Sequence, residues 1–183
     1  MVRGLLALWA GLLLLVAAPA EVQAQGLGLA RASAVKAAFL FRFGSFVEWP
    51  SGTFRTPGEP LVIGVFGDEA VASELEQITQ GRKIDSHPVM VRRVRDVDDI
   101  GTVHILYAGG ARETRSREVI AAARGAVLTV ADSHGNGRSA PVLHFTEDEG
   151  RVRFSASLTA ATARGIRLSA KLLVVAQDVE GAR

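Results

Sequence analysis

Asp132, Ser133 and His134 are consecutive and supply the residue types of a nucleophilic triad: an orienting carboxylate, a hydroxyl and an imidazole base. Triad geometry needs side chains that converge from separate elements, and adjacent residues rarely achieve it. The run of Asp, Ser, His, Gly and Asn from position 132 reads more simply as turn chemistry. His87, His104, His134 and His144 are the imidazoles available to a metal, with Asp132 as a carboxylate. None shows the short paired spacing of a helical or knuckle site, and without cysteine there is no thiolate site. Gly64 with Gly67, or Gly109 and Gly110 ahead of Arg112, could turn backbone amides towards a phosphate. Neither matches a dinucleotide fingerprint or a P-loop, so tight strand-to-helix turns explain them better. No catalytic, cofactor-binding or metal residue is assigned.

The elements that would position these groups alternate. Leu61 to Phe66 (L-V-I-G-V-F) is a continuous apolar run of the kind buried on both faces of a sheet. Asp68 is placed to cap a helix carrying Val71, Leu75 and Ile78 up to Gly81. Val89 to Val94 is a more polar strand nearer an edge, and Val103 to Tyr107 (V-H-I-L-Y) is a third. There His104 reads as a hydrogen-bonded core histidine. An arginine-rich helix then runs to Arg124, Gly125 stops it, and Ala126 to Ala131 is a fourth strand. Such alternation predicts parallel pairing through crossovers. Val142 to Phe145 and Arg151 to Phe154, separated by T-E-D-E-G, predict a hairpin. Ser157 and Ser169 can cap two closing helices. The expected fold is a three-layer αβα domain with a mixed, largely parallel sheet, an N-terminal aromatic-rich helix and a C-terminal β-hairpin.

Lys36 to Pro50 reads K-A-A-F-L-F-R-F-G-S-F-V-E-W-P, a concentration of aromatics in a chain with only 6% of them. On a helical wheel Val35, Phe39, Leu40, Phe43, Phe46 and Val47 share one arc, which predicts a core-facing stripe. Ala37, Ser45 and Glu48 fall on the opposite side, and Phe41 falls among them. The helix is expected to stop near Glu48, because Trp49 precedes Pro50. Ser51 to Pro60 follows as a polar loop.

The N-terminus carries Arg3, an apolar run from Leu5 to Ala18, Pro19, and the small residues Val22 and Ala24 around Gln23. The run is short for a bilayer span and follows the plan of a cleaved secretory signal, residues 1–24. Residues 25–183 are expected to form a single exported α/β domain. With no cysteine in the chain, neither a lipid-anchored cysteine nor a disulfide can form. A net charge of +2, with Arg92, Arg93 and Arg95 followed by Asp96, Asp98 and Asp99, leaves no long-range basic field for nucleic acid.

The Lys36 to Pro50 segment resembles the opening signature of the YfiR family of exported bacterial proteins. H-I-L-Y at 104–107, V-L-T-V-A-D at 127–132, R-V-R-F-S-A-S-L at 151–158 and G-I-R-L-S-A-K-L-L at 165–173 resemble later segments of the family in the same order. The resemblance implies a periplasmic, non-enzymatic regulator without a cofactor. Its partner would be the periplasmic part of an inner-membrane diguanylate cyclase or related sensor, whose repression lowers cyclic diguanylate and biofilm formation. The resemblance implies an outer-membrane lipoprotein as a further partner, and a second copy of the chain is another candidate. Many relatives carry cysteine just before the third-strand histidine; Val103 stands there instead, so redox control does not carry over.

Four residues are candidates for partner contact: Phe41 and Trp49 on the aromatic segment, and Lys171 and Gln177 near the C-terminal end, beside Leu173 and Val175. For Phe41, cover by the C-terminal segment or Trp49 is the favoured expectation. The alternative function is a periplasmic small-ligand-binding protein using a crevice at the carboxyl ends of the strands. A hydrolase is the more distant alternative.

Overall fold

A computed structural model describes residues 20–110, 112–135, 137–148 and 150–181. The apolar run of the expected signal segment lies outside the described residues. The expected cleavage point after Ala24 falls within the first helix, α1 (Ala20–Phe43). A short β1 (Val47–Glu48) follows, then β2 (Leu61–Phe66), α2 (Glu69–Thr79), β3 (Lys83–Ile84) and β4 (His87–Val94). Next come β5 (Ile105–Ala108), α3 (Glu113–Ala122), β6 (Leu128–Ala131), β7 (Leu143–Asp148) and β8 (Arg151–Ser157). The chain closes with α4 (Leu158–Ala163), β9 (Arg167–Leu168), α5 (Ala170–Val175) and β10 (Val179–Glu180).

Eight strands form one sheet in the order β10-β8-β7-β6-β5-β2-β4-β3, while β1 and β9 pair separately and antiparallel. The five strands β4-β2-β5-β6-β7 are parallel to one another, so the expected largely parallel, mixed sheet is present. Their order is that of flavodoxin-type doubly wound sheets, in which the chain reverses direction between its first and third strands. Here that switch point lies between β2 and β5.

Continuous apolar runs form the central strands because both faces are covered. Ile63 and Val65 of β2, Ile105 and Tyr107 of β5, and Leu128 and Val130 of β6 join the core beneath α1 and α2. Phe66, Leu106, Ala108 and Ala131 join a second core with Val119 and Ile120 of α3. The two-residue side-chain period of a strand divides them in this way. Each large aliphatic side chain removed from water contributes about 1.5–3 kcal/mol. Three helix starts read from sequence are present: Asp68, Ser157 and Ser169 accept hydrogen bonds from the amides of Val71, Ala160 and Leu172.

The aromatic segment departs from the wheel in two respects. The α-helix ends at Phe43 rather than near Glu48, and passes through a tight turn at Gly44–Phe46 into β1. A Cβ on Gly44 would crowd Ile84 and Leu61, so the chain there approaches the sheet more closely than a larger residue permits. Ala37, expected on the outer side, is wholly buried. Because α1 packs against both the sheet and α2, its covered arc is wider than its aromatic stripe. Within that stripe Phe39 and Phe43 stack at 5.7 Å and meet Phe154 edge-on at 5.5 and 5.0 Å.

Candidate functional site

Two groups of side chains lie at opposite ends of the central strands. At the carboxyl ends, Asp68 follows β2, Tyr107 lies within β5, and Asp132 follows β6. The Tyr107 hydroxyl donates to the Asp132 carboxylate, whose oxygens are 2.9 and 3.0 Å away, and lies 3.4 Å from Asp68 Oδ2. Lys36 reaches across from α1, its Nζ 2.8 Å from Asp132 Oδ1 and 3.4 Å from the tyrosine oxygen. The Gly110 amide donates to Asp132 Oδ2 at 3.2 Å. Gly109 has a structural reason: a Cβ there would overlap the Tyr107 hydroxyl.

Tyr107 is wholly buried. Burial, reinforced by Asp132 and Asp68, pushes its phenol well above the ordinary tyrosine range, so it remains a neutral donor. The cluster contains no free nucleophile beside a free base. Its arrangement instead fastens α1 to the ends of β5 and β6, at the edge where doubly wound sheets bind ligands. His134 does not complete a triad with Asp132: its ring faces His144 edge-on at 4.9 Å, while Asp132 bonds to Tyr107 and Gly110. Burial lowers the His144 pKa, as does the neighbouring His134, against the opposing pull of Asp178 and Glu180.

At the amino ends, Phe54 enters from the loop after Pro50 and lies flat between two imidazoles. Its ring is 3.8 Å from His87 and 4.5 Å from His104, nearly parallel to both. Trp49 meets Phe54 and His104 edge-on at 6.4 and 6.0 Å. His104 is buried, and its Nδ1 accepts from the Val62 amide at 3.0 Å, as expected of a hydrogen-bonded core histidine. His87 Nδ1 donates to the Glu59 carbonyl at 2.7 Å. Burial lowers the His104 pKa; the Glu59 carboxylate opposes this and His87 adds to it. A cleft of about 300 Å³ opens beside the stack, lined by Trp49, Phe54, Ile84, Asp85 and His87 among others.

The four candidate contact residues are spread over the molecule. Phe41 is half-buried and packs against the core, with the Arg82 guanidinium over its ring at 5.8 Å. Trp49 is half-buried in the ring stack. Lys171 and Gln177 are exposed, and the Gln177 side-chain oxygen accepts from the Thr146 hydroxyl at 2.7 Å. Between them Val174 and Val175 of α5 are 83% and 67% exposed, whereas Leu173 packs on the core. Sequence reading overlooked Lys36, Tyr107 and Phe54 as partners in clusters. A usable signal existed for two of the carboxylates: Asp68 and Asp132 both follow apolar strands closely, which places them together on a parallel sheet's carboxyl edge. Among the described residues, no three His, Asp or Glu side chains converge as metal ligands, and no helix is long and apolar enough to cross a membrane.

Fold and site together define a doubly wound α/β protein whose carboxyl-edge polar groups are paired with one another. The sequence profile of the YfiR/HmsC-like family matches residues 33–177, and the chain belongs to that family. No curated protein matches it in sequence. At the level of the family, membership carries the role of a periplasmic regulator in diguanylate cyclase signalling, not that of an enzyme.

Proposed function

We propose that this chain is a non-enzymatic periplasmic regulator that binds the sensor part of an inner-membrane diguanylate cyclase and holds it inactive. The observation that carries this reading is the family match across residues 33–177. Exposed Val174 and Val175, flanked by Lys171 and Gln177 at the C-terminal end, supply one contact surface; Phe41 and Trp49 mark a second. Repression then works by selection: the regulator binds one arrangement of the sensor better than another and shifts its population. Moving such an equilibrium from almost all active to almost all inactive needs a preference of about 10⁴-fold. With no cysteine, this chain contributes no thiol to that control.

At the carboxyl edge, where a small ligand would sit in the alternative reading, the Asp132 carboxylate already accepts from Lys36, Tyr107 and Gly110. Deleting the gene and measuring cyclic diguanylate tests the proposal, together with affinity isolation of inner-membrane proteins on the purified chain. A rise in cyclic diguanylate and recovery of a cyclase are expected. Unchanged cyclic diguanylate with no membrane partner would overturn it.

A further inference from the structure

Between the second half of α1 and the turn from α2 into β3 runs a groove of about 600 Å³, lined by Ala38, Phe41, Arg42, Ile78, Arg82 and Lys83. Its floor is apolar, with Phe41 half-buried and Ile78 packed on the core. Its rim holds three exposed cations, none of which has a carboxylate within salt-bridge distance among the described residues. Several arginines elsewhere do have carboxylate partners: Arg93 with Glu69 and Glu76, Arg115 with Asp96 and Glu118, Arg117 with Glu113. Arg82 lies over the Phe41 ring, so its guanidinium is already oriented across the groove.

We infer that this groove docks an acidic segment of a protein partner, with an apolar side chain set against Phe41 and carboxylates meeting Arg42, Arg82 and Lys83. The inference rests on the proposed function for the partner being a protein, and gives that partner a chemistry. Charge complementarity selects the sign, because three adjacent unpaired cations attract an acidic surface and repel a basic one. Burial selects a polypeptide over a small molecule. Small ligands are mostly enclosed by their sites, whereas here every cation is exposed and only the floor is covered. A bilayer is the poorer fit as well. Phe41 is held under Arg82, and the large apolar side chains free to insert, Leu29, Met90, Val174 and Val175, do not line the groove.

The test uses fluorescence anisotropy of the purified protein with a labelled twelve-residue peptide of glutamates around one tryptophan, and with its lysine counterpart. The glutamate peptide is expected to bind and the lysine peptide not. The double variant Arg42→Glu with Arg82→Glu should weaken binding by about tenfold or more. A charge-matched double variant on the α3 side of the sheet, Arg112→Glu with Arg124→Glu, should change it less than twofold. Phe41→Ala should weaken it by about threefold, through loss of the apolar anchor. Circular dichroism confirms folding of each variant. Equal losses in both charge-reversal variants would reduce the effect to net charge and overturn the inference. Preferential binding to phosphatidylglycerol vesicles would also overturn it, in favour of a membrane surface. In the deletion strain, an Arg42→Glu, Arg82→Glu protein that lowers cyclic diguanylate as fully as wild type sinks this inference and leaves the proposed function standing. Failure of the wild-type protein to lower it sinks the proposed function instead.

Discussion

His104 immediately precedes β5 and Tyr107 lies within it, and both are buried, yet their polar atoms are satisfied in opposite ways. About 10 Å of strand separates them, at 3.3 Å per residue. Tyr107 is surrounded by charge: two carboxylates and the Lys36 ammonium, with the Lys36 and Asp132 side chains still 19% and 32% exposed. His104 is surrounded by rings and neutral amide, with Phe54 stacked on it and the Val62 amide donating to it. The carboxylate that pulls on it, Glu59, accepts from the Arg55 amide. Charge survives at the carboxyl end because opposite signs meet there and keep some water. At the amino end burial outweighs the pull of Glu59 and lowers the His104 pKa, which favours the neutral imidazole.

The sharpest way to break this contrast is Asp132→Ala. It leaves the buried Tyr107 hydroxyl with Asp68 Oδ2, 3.4 Å away, as its acceptor and strips Lys36 of its carboxylate partner. A loss of about 2–3 kcal/mol is expected from urea unfolding followed by circular dichroism. A loss under about 0.5 kcal/mol would mean that the polar cluster does not hold α1. At the other end, Phe54→Ala should cost about 1–2 kcal/mol, since a partly buried ring and two stacking contacts go with it. Hydrogen exchange of the Val62 amide should speed up in that variant. No change there would show that the stack is incidental to the loop.

A gentler probe is pH. The folded His104 and His144 both have pKa values below the ordinary 6.5. Between that lowered value and 6.5 the unfolded chain binds more protons than the folded one, so stability rises with pH. Their contribution is complete above 6.5 and is lost as pH falls below it. Unfolding midpoints at pH 7.5, 6.5 and 5.5 should decline in that order, and His104→Gln should flatten the decline. If the slope survives in both His104→Gln and His144→Gln, the neutral-imidazole account fails. The smallest effect is expected where neither end is touched: Lys171→Ala and Gln177→Ala should each alter stability by less than about 0.5 kcal/mol. Those two variants instead sharpen the functional side, because repression of cyclic diguanylate should weaken while the fold is unchanged.

Much of the framework was readable because it is local. Asp68, Ser157 and Ser169 cap helices through amides three residues away, and the runs L-V-I-G-V-F and A-V-L-T-V-A advertise strands covered on both faces. The carboxyl-edge cluster was not read, because Lys36 meets Asp132 across 96 residues of sequence, and only the sheet order brings them together. Asp132 was weighed with its chain neighbours Ser133 and His134, when its real neighbours come from α1 and β5. Ala37 was misplaced because a wheel shows one helix and not the second helix packed on it. Phe54 was hidden in a polar loop, where a single aromatic has no period to betray it. Two-residue strands such as β1 and β9 carry too few residues for any pattern.

Sheet edges have their own consequence for life among many copies. Two-residue strands cover part of each outer strand: β3 pairs with β4 only at His87 and Pro88, and β10 with β8 only at Ala156 and Ser157. What they leave open carries Arg92 and Arg93 on one side, and Arg151 and Arg153 on the other. A second molecule seeking to extend the sheet there would bring arginine against arginine. Positive charge on short edges is how soluble sheets avoid templated aggregation. Under crowding, a neighbour that tried to add a strand at either edge would meet charge before it met the backbone.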